Sequence, residues 1–244
     1  TGNWRRPQKN IDNYFSRLKQ PSTYYHVKKS KAKIQIHQGG TRSGKTFSIC
    51  QALIELCFKN KGAGIVITIV RKTFPALRSS VMRDFFQILT DGGNYYEENH
   101  NKSQATYTLF GNLVEFISAD QPQKLRGRKR TMLYINEANE LSLEDFRQLI
   151  LRTTDKTILD YNPSDQYHWI YEHVLPREDV DLVNVVLMCR PYSHNGKSLM
   201  KSPNGQSLWR MGVTGGSLMT QPQSFQFGVK TILCILRNTF IQQV

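Results

Sequence analysis

Short apolar runs alternate with longer amphipathic stretches along most of the chain before residue 190. Residues 33–38 alternate apolar and polar side chains with a period of two, and residues 45–58 repeat apolar side chains at helical spacing. Residues 64–70 form a continuous run rich in β-branched side chains, as expected for a strand that is buried on both faces. Buried strands that alternate with helices predict an α/β fold with a mostly parallel central sheet flanked by helices.

The alternation continues to residue 188, with one insertion. Residues 76–89 have helical spacing, whereas residues 105–118 hold two alternating runs around a Gly-Asn pair, which predicts a β-hairpin. Ser142, followed three residues later by Asp145, predicts the start of a helix. The remaining predicted elements are strands at residues 131–136, 157–161 and 180–188 and helices at residues 143–151 and 166–174.

Composition limits the class of protein. Apolar residues make up 39% of the 244 residues and the mean hydropathy is -0.48, which is enough for a folded core and excludes a chain that is disordered throughout. No apolar run approaches the roughly 18 residues of a membrane span, and the N-terminus has neither an initiator Met nor a signal-peptide apolar region. Four cysteines without a C-x-x-C pair predict reduced thiols in a reducing cytosol. We therefore expect a soluble protein that begins within a longer chain.

Positive charge dominates the chain. Lys and Arg number 33 against 19 Asp and Glu, which gives a net charge of +14 and an isoelectric point near 9.7. The two densest basic runs cover residues 26–33 and 124–130. Lys and Arg bind phosphates of any nucleic-acid sequence because they release condensed counterions, so a nucleic acid is a candidate partner. A solvated surface is the alternative interpretation of each run.

The acidic residues are distributed unevenly. All 19 lie at or before Asp181, so residues 182–244 contain none. Near residues 189–192 the composition also shifts towards Ser, Gly, Asn and Gln, and a sustained helical or strand period is absent until residue 229. This tail is compatible with a flexible segment, a poorly packed remnant or an out-of-frame extension. The predicted parts are a lead-in segment at residues 1–23, an α/β domain at residues 24–190 and a basic, acid-free tail at residues 191–244.

Residues 39–46 read Gly-Gly-Thr-Arg-Ser-Gly-Lys-Thr and match the phosphate-binding pattern G-x-x-x-x-G-K-S/T. The match lies where the chemistry requires it, after a predicted strand and at the start of a predicted helix. The glycines let backbone N–H groups point inward, Lys45 can reach the β- and γ-phosphates, and Thr46 can offer its hydroxyl to Mg²⁺. Tyr24 and Tyr25, upstream of the loop, are candidates to stack on a bound adenine base. The predicted nucleotide-binding residues are Gly39, Gly40, Thr41, Arg42, Ser43, Gly44, Lys45 and Thr46.

A P-loop enzyme also needs a group that orients water, and that group comes from the end of a buried strand. The predicted strand at residues 131–136 ends in Asn136 and is followed by Glu137. Glu137 is the candidate catalytic residue that polarises water, with a helix-terminal carboxylate as the alternative interpretation. Asn136 occupies the position usually held by an Asp that supports the metal, and it can hydrogen-bond Thr46 or a metal-bound water but brings no charge. The predicted metal residues are Thr46 and Asn136.

Five segments occur in a distinctive order and spacing. They are GGTRSGKTFS, RKTFPALRSSVMRDFF, KLRGRKR, LYINEANELSLEDFRQLILRTT and ILDYNPSDQYHWIY. Together they resemble the ATPase domain of the large terminase subunit of tailed bacteriophages, over about residues 24–186. The resemblance implies a P-loop NTPase fold with an extra strand between the phosphate loop and the acidic strand. It also implies ATP hydrolysis, with ATP and Mg²⁺ bound, that drives double-stranded DNA into a procapsid.

The resemblance assigns roles to single residues. Arg42 matches an arginine that acts in cis on the phosphates, and Glu137 matches the catalytic carboxylate. Asn162, in the DYNP segment, matches a coupling motif that senses loss of the γ-phosphate, although a surface turn is the alternative for this segment. Arg126 is the candidate arginine finger that reaches the site of a neighbouring subunit, where it would stabilise charge on the equatorial oxygens. The rival candidates for that role are Arg128 and Arg130.

The same resemblance implies partners and a location. A packaging motor works as a ring of identical subunits with double-stranded DNA, a portal protein and a small terminase subunit, in the host cytoplasm and away from any membrane. The family's second domain is a nuclease that holds two metals with several carboxylates. Because residues 182–244 contain no carboxylate side chain, we expect no nuclease activity from this chain. The alternative functions are another P-loop ATPase, such as a helicase-like translocase, and a nucleotide- and DNA-binding protein without turnover.

Overall fold

The computed structural model describes residues 22–120, 129–164 and 167–185, which form an eight-stranded sheet packed against helices. The strands are β1 (Ile34–Gly39), β2 (Val66–Arg71), β3 (His100–Asn101), β4 (Thr106–Leu109), β5 (Asn112–Ser118), β6 (Arg130–Ile135), β7 (Thr153–Tyr161) and β8 (Val180–Val185). The helices are α1 (Ser22–Lys29), α2 (Lys45–Lys59), α3 (Phe74–Leu77), α4 (Arg83–Asp91) and α5 (Leu143–Ile150). Most of the predicted lead-in segment, Arg126, Arg128 and the predicted tail lie outside the described residues.

The sheet is parallel except at one edge. Its strand order is β3-β4-β5-β2-β6-β7-β1-β8, and within the described ranges only the β3–β4 and β4–β5 pairs are antiparallel. The antiparallel β4–β5 pair is the predicted hairpin, and its second strand joins the parallel sheet beside β2. β7 lies between β1 and β6, which places one extra strand between the strand before the phosphate loop and the strand before Glu137. The predicted fold class is confirmed.

The central strands are buried on both faces, as their apolar sequences predict. On β6, Met132 and Tyr134 belong to a core shared with α2 and α4, whereas Leu133 and Ile135 belong to a second core shared with α5. All four side chains are at most 2% exposed. Burial of apolar surface contributes roughly 25 cal/mol per Å², so these two layers are the main source of stability for the sheet. The end of β6, where Glu137 follows, therefore projects from a rigidly packed strand.

The helices differ in how far local sequence signals define them. Ser142 and Asp145 form the predicted capping box: the Ser142 hydroxyl accepts from the Asp145 N–H at 3.1 Å, and the Asp145 carboxylate accepts from the Ser142 N–H at 3.2 Å. Two other predicted helices contain π-helical turns, at Arg78–Met82 and Ile170–Val174. The first of these turns carries Ser80, whose hydroxyl lies 2.6 Å from the Arg71 guanidinium at the end of β2. Because Arg71 and Ser80 belong to separate elements, no short sequence pattern predicts this contact or the π-helical turn that carries it.

A polar cluster fastens α1 to α2. The Tyr24 hydroxyl donates a hydrogen bond to the Glu55 carboxylate. Lys28 and Lys59 form ion pairs with the same carboxylate, at 2.9 Å and 2.8 Å. Burial raises the pKa of Glu55, but the hydrogen bonds from its three donors outweigh that effect and lower the pKa overall. Because Tyr24 is 2% exposed, its ring cannot stack on a nucleotide, so that prediction is wrong for Tyr24, whereas Tyr25 is exposed.

Two expectations from composition concern this part of the chain. Cys50 and Cys57, both on α2, are buried free thiols, and the other two cysteines lie outside the described residues. Burial raises the pKa of Cys57 to about 12, which makes its thiolate inaccessible at neutral pH. Within the described ranges, every helix is too short or too polar to cross a membrane.

Candidate nucleotide-binding site

The phosphate loop connects the end of β1 to the start of α2, where the sequence predicts it. Gly39 is the last residue of β1, and a Cβ atom there would clash with the backbone carbonyl of Val185 on β8. Gly44 directly precedes α2 and has a φ of 78°, in the left-handed region that favours glycine. The two glycines are therefore required for different reasons. Gly39 allows close strand packing, and Gly44 allows the turn into the helix.

Lys45, the first residue of α2, folds back over the loop. Its Nζ donates hydrogen bonds to the Gly39 carbonyl at 2.6 Å and the Gly40 carbonyl at 3.1 Å, and the residue is 6% exposed. A third hydrogen bond, at 3.2 Å, goes to the Ser43 hydroxyl. The ammonium thus lies inside the curve of the loop, beside the helix N-terminus, where backbone N–H groups favour an anion. A phosphate group is a stronger partner for this ammonium than the loop carbonyls are, because its charge assists the hydrogen bond.

A buried carboxylate that sequence analysis did not select joins the loop to the end of β6. Asp160 lies near the end of β7 and is 0% exposed. It accepts hydrogen bonds from the Thr46 hydroxyl at 3.0 Å, the Asn136 side-chain amide at 3.0 Å and the Glu137 backbone N–H at 2.9 Å. The Tyr134 hydroxyl donates a fourth hydrogen bond, at 3.1 Å. Asp160 therefore brings together three residues that the sequence selected separately.

Glu137 follows β6 in a conformation that is unusual for a residue with a side chain. Its φ of 52° and ψ of 58° lie in the left-handed region, and its N–H bond to Asp160 holds it there. Glu137 precedes the short 3-10 helix Ala138–Glu140, yet its side chain makes no capping hydrogen bond to that helix. Glu137 therefore lies at a helix N-terminus, as the alternative interpretation has it, but its carboxylate does not cap that helix. Backbone strain that the surrounding structure maintains is concentrated at functional sites.

The ionisable groups of the site perturb one another. Burial raises the pKa of Asp160, against the opposing effect of its hydrogen bonds. Burial and the charge of Asp160 raise the pKa of Glu137, against the effects of Lys45 and Arg71. Burial lowers the pKa of Lys45, against the effects of the two carboxylates. An ammonium and two carboxylates that are partly withdrawn from water beside a glycine loop are typical of a functional centre.

Two residues selected through the resemblance lie at the loop. Arg42 has a φ of 63° and is exposed. Asn162 directly follows β7, and its side-chain amide donates a hydrogen bond to the Thr41 hydroxyl at 3.1 Å. The end of β7 thus contacts the loop twice, from Asp160 to Thr46 and from Asn162 to Thr41.

Two further arginines are placed by the structure. Arg130 is the first residue of β6 and is 1% exposed, so its side chain is not accessible to a neighbouring subunit. This leaves Arg126 and Arg128 as candidates for the arginine finger. Arg71, at the end of β2, was not selected from the sequence; it forms an ion pair with Glu140 at 3.1 Å and stabilises the charged form of Glu137. The feature that could have identified Arg71 is its position at the end of a strand that lies beside β6.

Comparison with known proteins decides the family. The sequence model of the phage terminase large subunit matches residues 31–195, which is more than half of the chain. The chain belongs to the phage terminase large subunit family. This membership confirms the resemblance of the five sequence segments. No curated protein matches the sequence of this terminase chain.

Solved structures of large terminases share the fold of this terminase chain. The large terminase of a thermophilic bacteriophage is similar with a TM-score of 0.61 and 16% identity, over 77% of this chain and 49% of that one. A complex of the same phage protein with ADP gives a TM-score of 0.58 and 18% identity, over 69% and 46%. The ATPase domain of the Thermus phage P74-26 large terminase gives 0.52 and 14%, over 73% and 86%. The terminase chain therefore spans about half the length of the thermophilic phage protein.

Proposed function

We propose that this chain is the ATPase motor domain of a viral DNA-packaging machine, which hydrolyses ATP to translocate double-stranded DNA into a procapsid. The observation that carries the proposal is the cluster around Asp160, which joins the phosphate-loop residue Thr46 to the backbone of Glu137. The complexes of the thermophilic phage large terminase with ADP and with ATP-γ-S support a nucleotide at this loop. The proposed partners are a portal protein, a small terminase subunit and further copies of the chain in a ring, in the host cytoplasm.

Each side chain has a separate task in the proposed reaction. The loop N–H groups and Lys45 bind the β- and γ-phosphates, and Thr46 offers its hydroxyl oxygen to Mg²⁺. Mg²⁺, when bound, neutralises charge that builds up on the phosphate oxygens. Glu137 orients a water and accepts its proton as the water oxygen attacks the γ-phosphorus and the bond to ADP breaks. Because burial and Asp160 raise the pKa of Glu137, its carboxylate is a stronger base than that of an exposed Glu.

We also propose that β7 transmits the state of the nucleotide. Asn162 is hydrogen-bonded to Thr41 within the loop, and Asp160, two residues earlier on the same strand, is hydrogen-bonded to Thr46 at the other end of the loop. Loss of the γ-phosphate changes the charge that the loop encloses, so both contacts respond to the same event. Arg42, within the loop, completes the proposed site by acting in cis on the phosphates.

Replacement of Arg126 tests the proposed ring. Assembled Arg126→Ala protein should hydrolyse ATP at least about tenfold more slowly, because a finger arginine stabilises transition-state charge in the neighbouring site. Mixing it with Glu137→Ala should restore part of the activity, since the intact Arg126 of one variant can serve the intact Glu137 of the other. The measurement is the ATPase rate against mixing ratio at constant total protein.

Arg128→Ala, mixed with Glu137→Ala in the same way, is the matched comparison. If ATPase activity is restored only when Glu137→Ala is mixed with Arg128→Ala, and not with Arg126→Ala, the arginine finger is Arg128. Absence of rescue with either variant would contradict an arginine finger in this segment.

The first basic run offers a test of DNA binding. Lys29 and Lys31 are exposed, at the end of α1 and just beyond it. The affinity for double-stranded DNA falls as salt rises, and replacing both residues with Ala should make the slope of log affinity against log salt less negative by about two. The reason is that each phosphate contact releases about one counterion. Fluorescence anisotropy with a labelled duplex across a salt series measures this slope. Lys61→Ala/Lys102→Ala removes the same charge elsewhere, and equal slopes for both double variants would favour the solvated-surface interpretation.

A further inference from the structure

We infer that Asp160 supplies the Mg²⁺ site with the carboxylate that the end of β6 lacks, so that the metal-supporting charge lies on the neighbouring strand β7. The inference rests on the proposed ATP-hydrolysing function and names a positioning residue for it. Asp160 holds Thr46 by its side chain and Glu137 by its backbone N–H. It therefore couples the metal side of the site to the water-orienting side.

The register of the sheet allows a carboxylate on β7 to take the place of one at the end of β6. Ile135 on β6 pairs with Leu159 on β7 in parallel, so Asn136 and Asp160 are the next residues along the two strands. On its other side Asp160 pairs with His37 of β1, the strand that leads into the phosphate loop. An acid at position 160 thus lies between the end of β6 and the loop. It reaches the Thr46 hydroxyl directly, at 3.0 Å.

The orientation of Asn136 shows that it does not replace the missing carboxylate. Its Nδ2 lies 3.0 Å and 3.2 Å from the two Asp160 carboxylate oxygens and 3.2 Å from the Thr46 hydroxyl oxygen. Its Oδ1 instead accepts from the Ser80 hydroxyl at 3.4 Å. Reversing the amide would place the Asn136 oxygen against a carboxylate, where no hydrogen is available. Asn136 therefore offers a hydrogen to the site, and the negative charge beside Thr46 belongs to Asp160.

The charge of Asp160 lacks a cationic partner at contact distance. Its hydrogen-bond donors are two hydroxyls, one side-chain amide and one backbone N–H, all of them neutral. Among the ion pairs of the described ranges, none includes Asp160. Burying a carboxylate with neutral partners alone is costly, and a divalent cation beside it removes that cost. The burial of Asp160 is therefore explained by a cation that arrives with the nucleotide.

The donor set fits Mg²⁺. This ion is usually held by one or two carboxylates, by phosphate oxygens and by several waters, so it needs no cage of protein ligands. In keeping with this, the described residues contain no group of three or more His, Cys, Asp or Glu side chains that could hold a metal. The Thr46 hydroxyl donates its hydrogen to Asp160 and accepts a hydrogen bond from the Asn136 side-chain amide, so its second lone pair is available to a cation.

The affinity for ATP-γ-S, measured by titration calorimetry with Mg²⁺ and with EDTA, tests this assignment. Asp160→Asn should bind as the wild type does in EDTA but at least about tenfold more weakly in Mg²⁺, because a charged partner of the metal is lost. The double variant Asn136→Asp/Asp160→Asn returns the carboxylate to the end of β6. It should recover most of the Mg²⁺ effect, which is the difference in ATP-γ-S affinity between Mg²⁺ and EDTA. Glu140→Gln is the matched control: it removes a carboxylate of the site rim that is paired with Arg71, and its Mg²⁺ effect should equal that of the wild type.

The outcomes separate this inference from the proposed function. A wild-type chain that binds no nucleotide under either condition overturns the proposed function and this assignment together. Wild-type binding with an unchanged Mg²⁺ effect in Asp160→Asn overturns the assignment alone. Equal weakening with Mg²⁺ and with EDTA also overturns it, because that result is expected of a purely structural carboxylate. If Asp160→Asn does not fold, as judged by thermal melting, recovery of Mg²⁺-dependent binding in the double variant decides the question.

Discussion

Glu137→Gln should lower the rate of ATP hydrolysis by about 10² to 10⁴-fold while ATP still binds, because a positioned general base contributes that range. Gln keeps the size and the hydrogen-bonding capacity of the side chain but cannot accept a proton from water. The left-handed backbone of residue 137 is held by the N–H bond to Asp160, which the substitution leaves intact. Steady-state kcat and KM, together with direct binding of ATP-γ-S, separate lost chemistry from lost binding.

Glu140→Gln is the comparison for this experiment as well. Glu140 lies three residues further along the chain and forms an ion pair with Arg71, and its side chain is 36% exposed. Glu140→Gln removes one negative charge near the site, as Glu137→Gln does. We expect its kcat to stay close to that of the wild type, since paired carboxylates near the surface contribute little. If Glu137→Gln were as active as Glu140→Gln, some other group would have to orient the water, and Glu137 would lose its catalytic assignment.

The residues that could be predicted are those with a local signal. The phosphate loop lies between a period-two strand and an amphipathic helix, and Gly39 and Gly44 each have a steric reason that a short pattern encodes. Ser142 and Asp145 form a capping box because both partners lie within four residues. Buried strands such as β6 are recognisable because burial on both faces demands an uninterrupted apolar sequence. These signals were sufficient for the fold class and for the position of the loop.

Asp160 could not be assigned a role in this way, because its partners come from other elements. The sequence shows an acid at the end of an apolar strand, which was the available signal, but Thr46 is 114 residues away and Asn136 is 24 residues away. Which strands become neighbours depends on the packing of the entire sheet. The same reason explains Arg130: its sequence resembles that of an exposed basic run, whereas β6 pairing buries it to 1% exposure. Long-range register, which local patterns do not contain, decided both cases.

Lys45→Ala should weaken binding of ATP-γ-S by about 100-fold or more, with Mg²⁺ and with EDTA alike. Hydrogen bonds to charged groups contribute up to about 3 kcal/mol each, and each 1.4 kcal/mol corresponds to a factor of ten in affinity. Lys45 donates hydrogen bonds to the Gly39 and Gly40 carbonyls of the loop. The substitution therefore removes these two hydrogen bonds as well as the ammonium that binds the phosphates. Calorimetry measures the loss, and thermal melting verifies the fold.

Lys61→Ala is the matched control for Lys45→Ala, because it removes an equal charge from an exposed residue beyond the end of α2. Its nucleotide affinity should not change. The two site variants are then distinguishable by the metal: Lys45 acts on the phosphates whether or not Mg²⁺ is present, whereas Asp160 is required only when the metal must be held. A Lys45→Ala protein that binds ATP-γ-S as tightly as the wild type would place the triphosphate elsewhere and would remove the phosphate loop from the proposed motor.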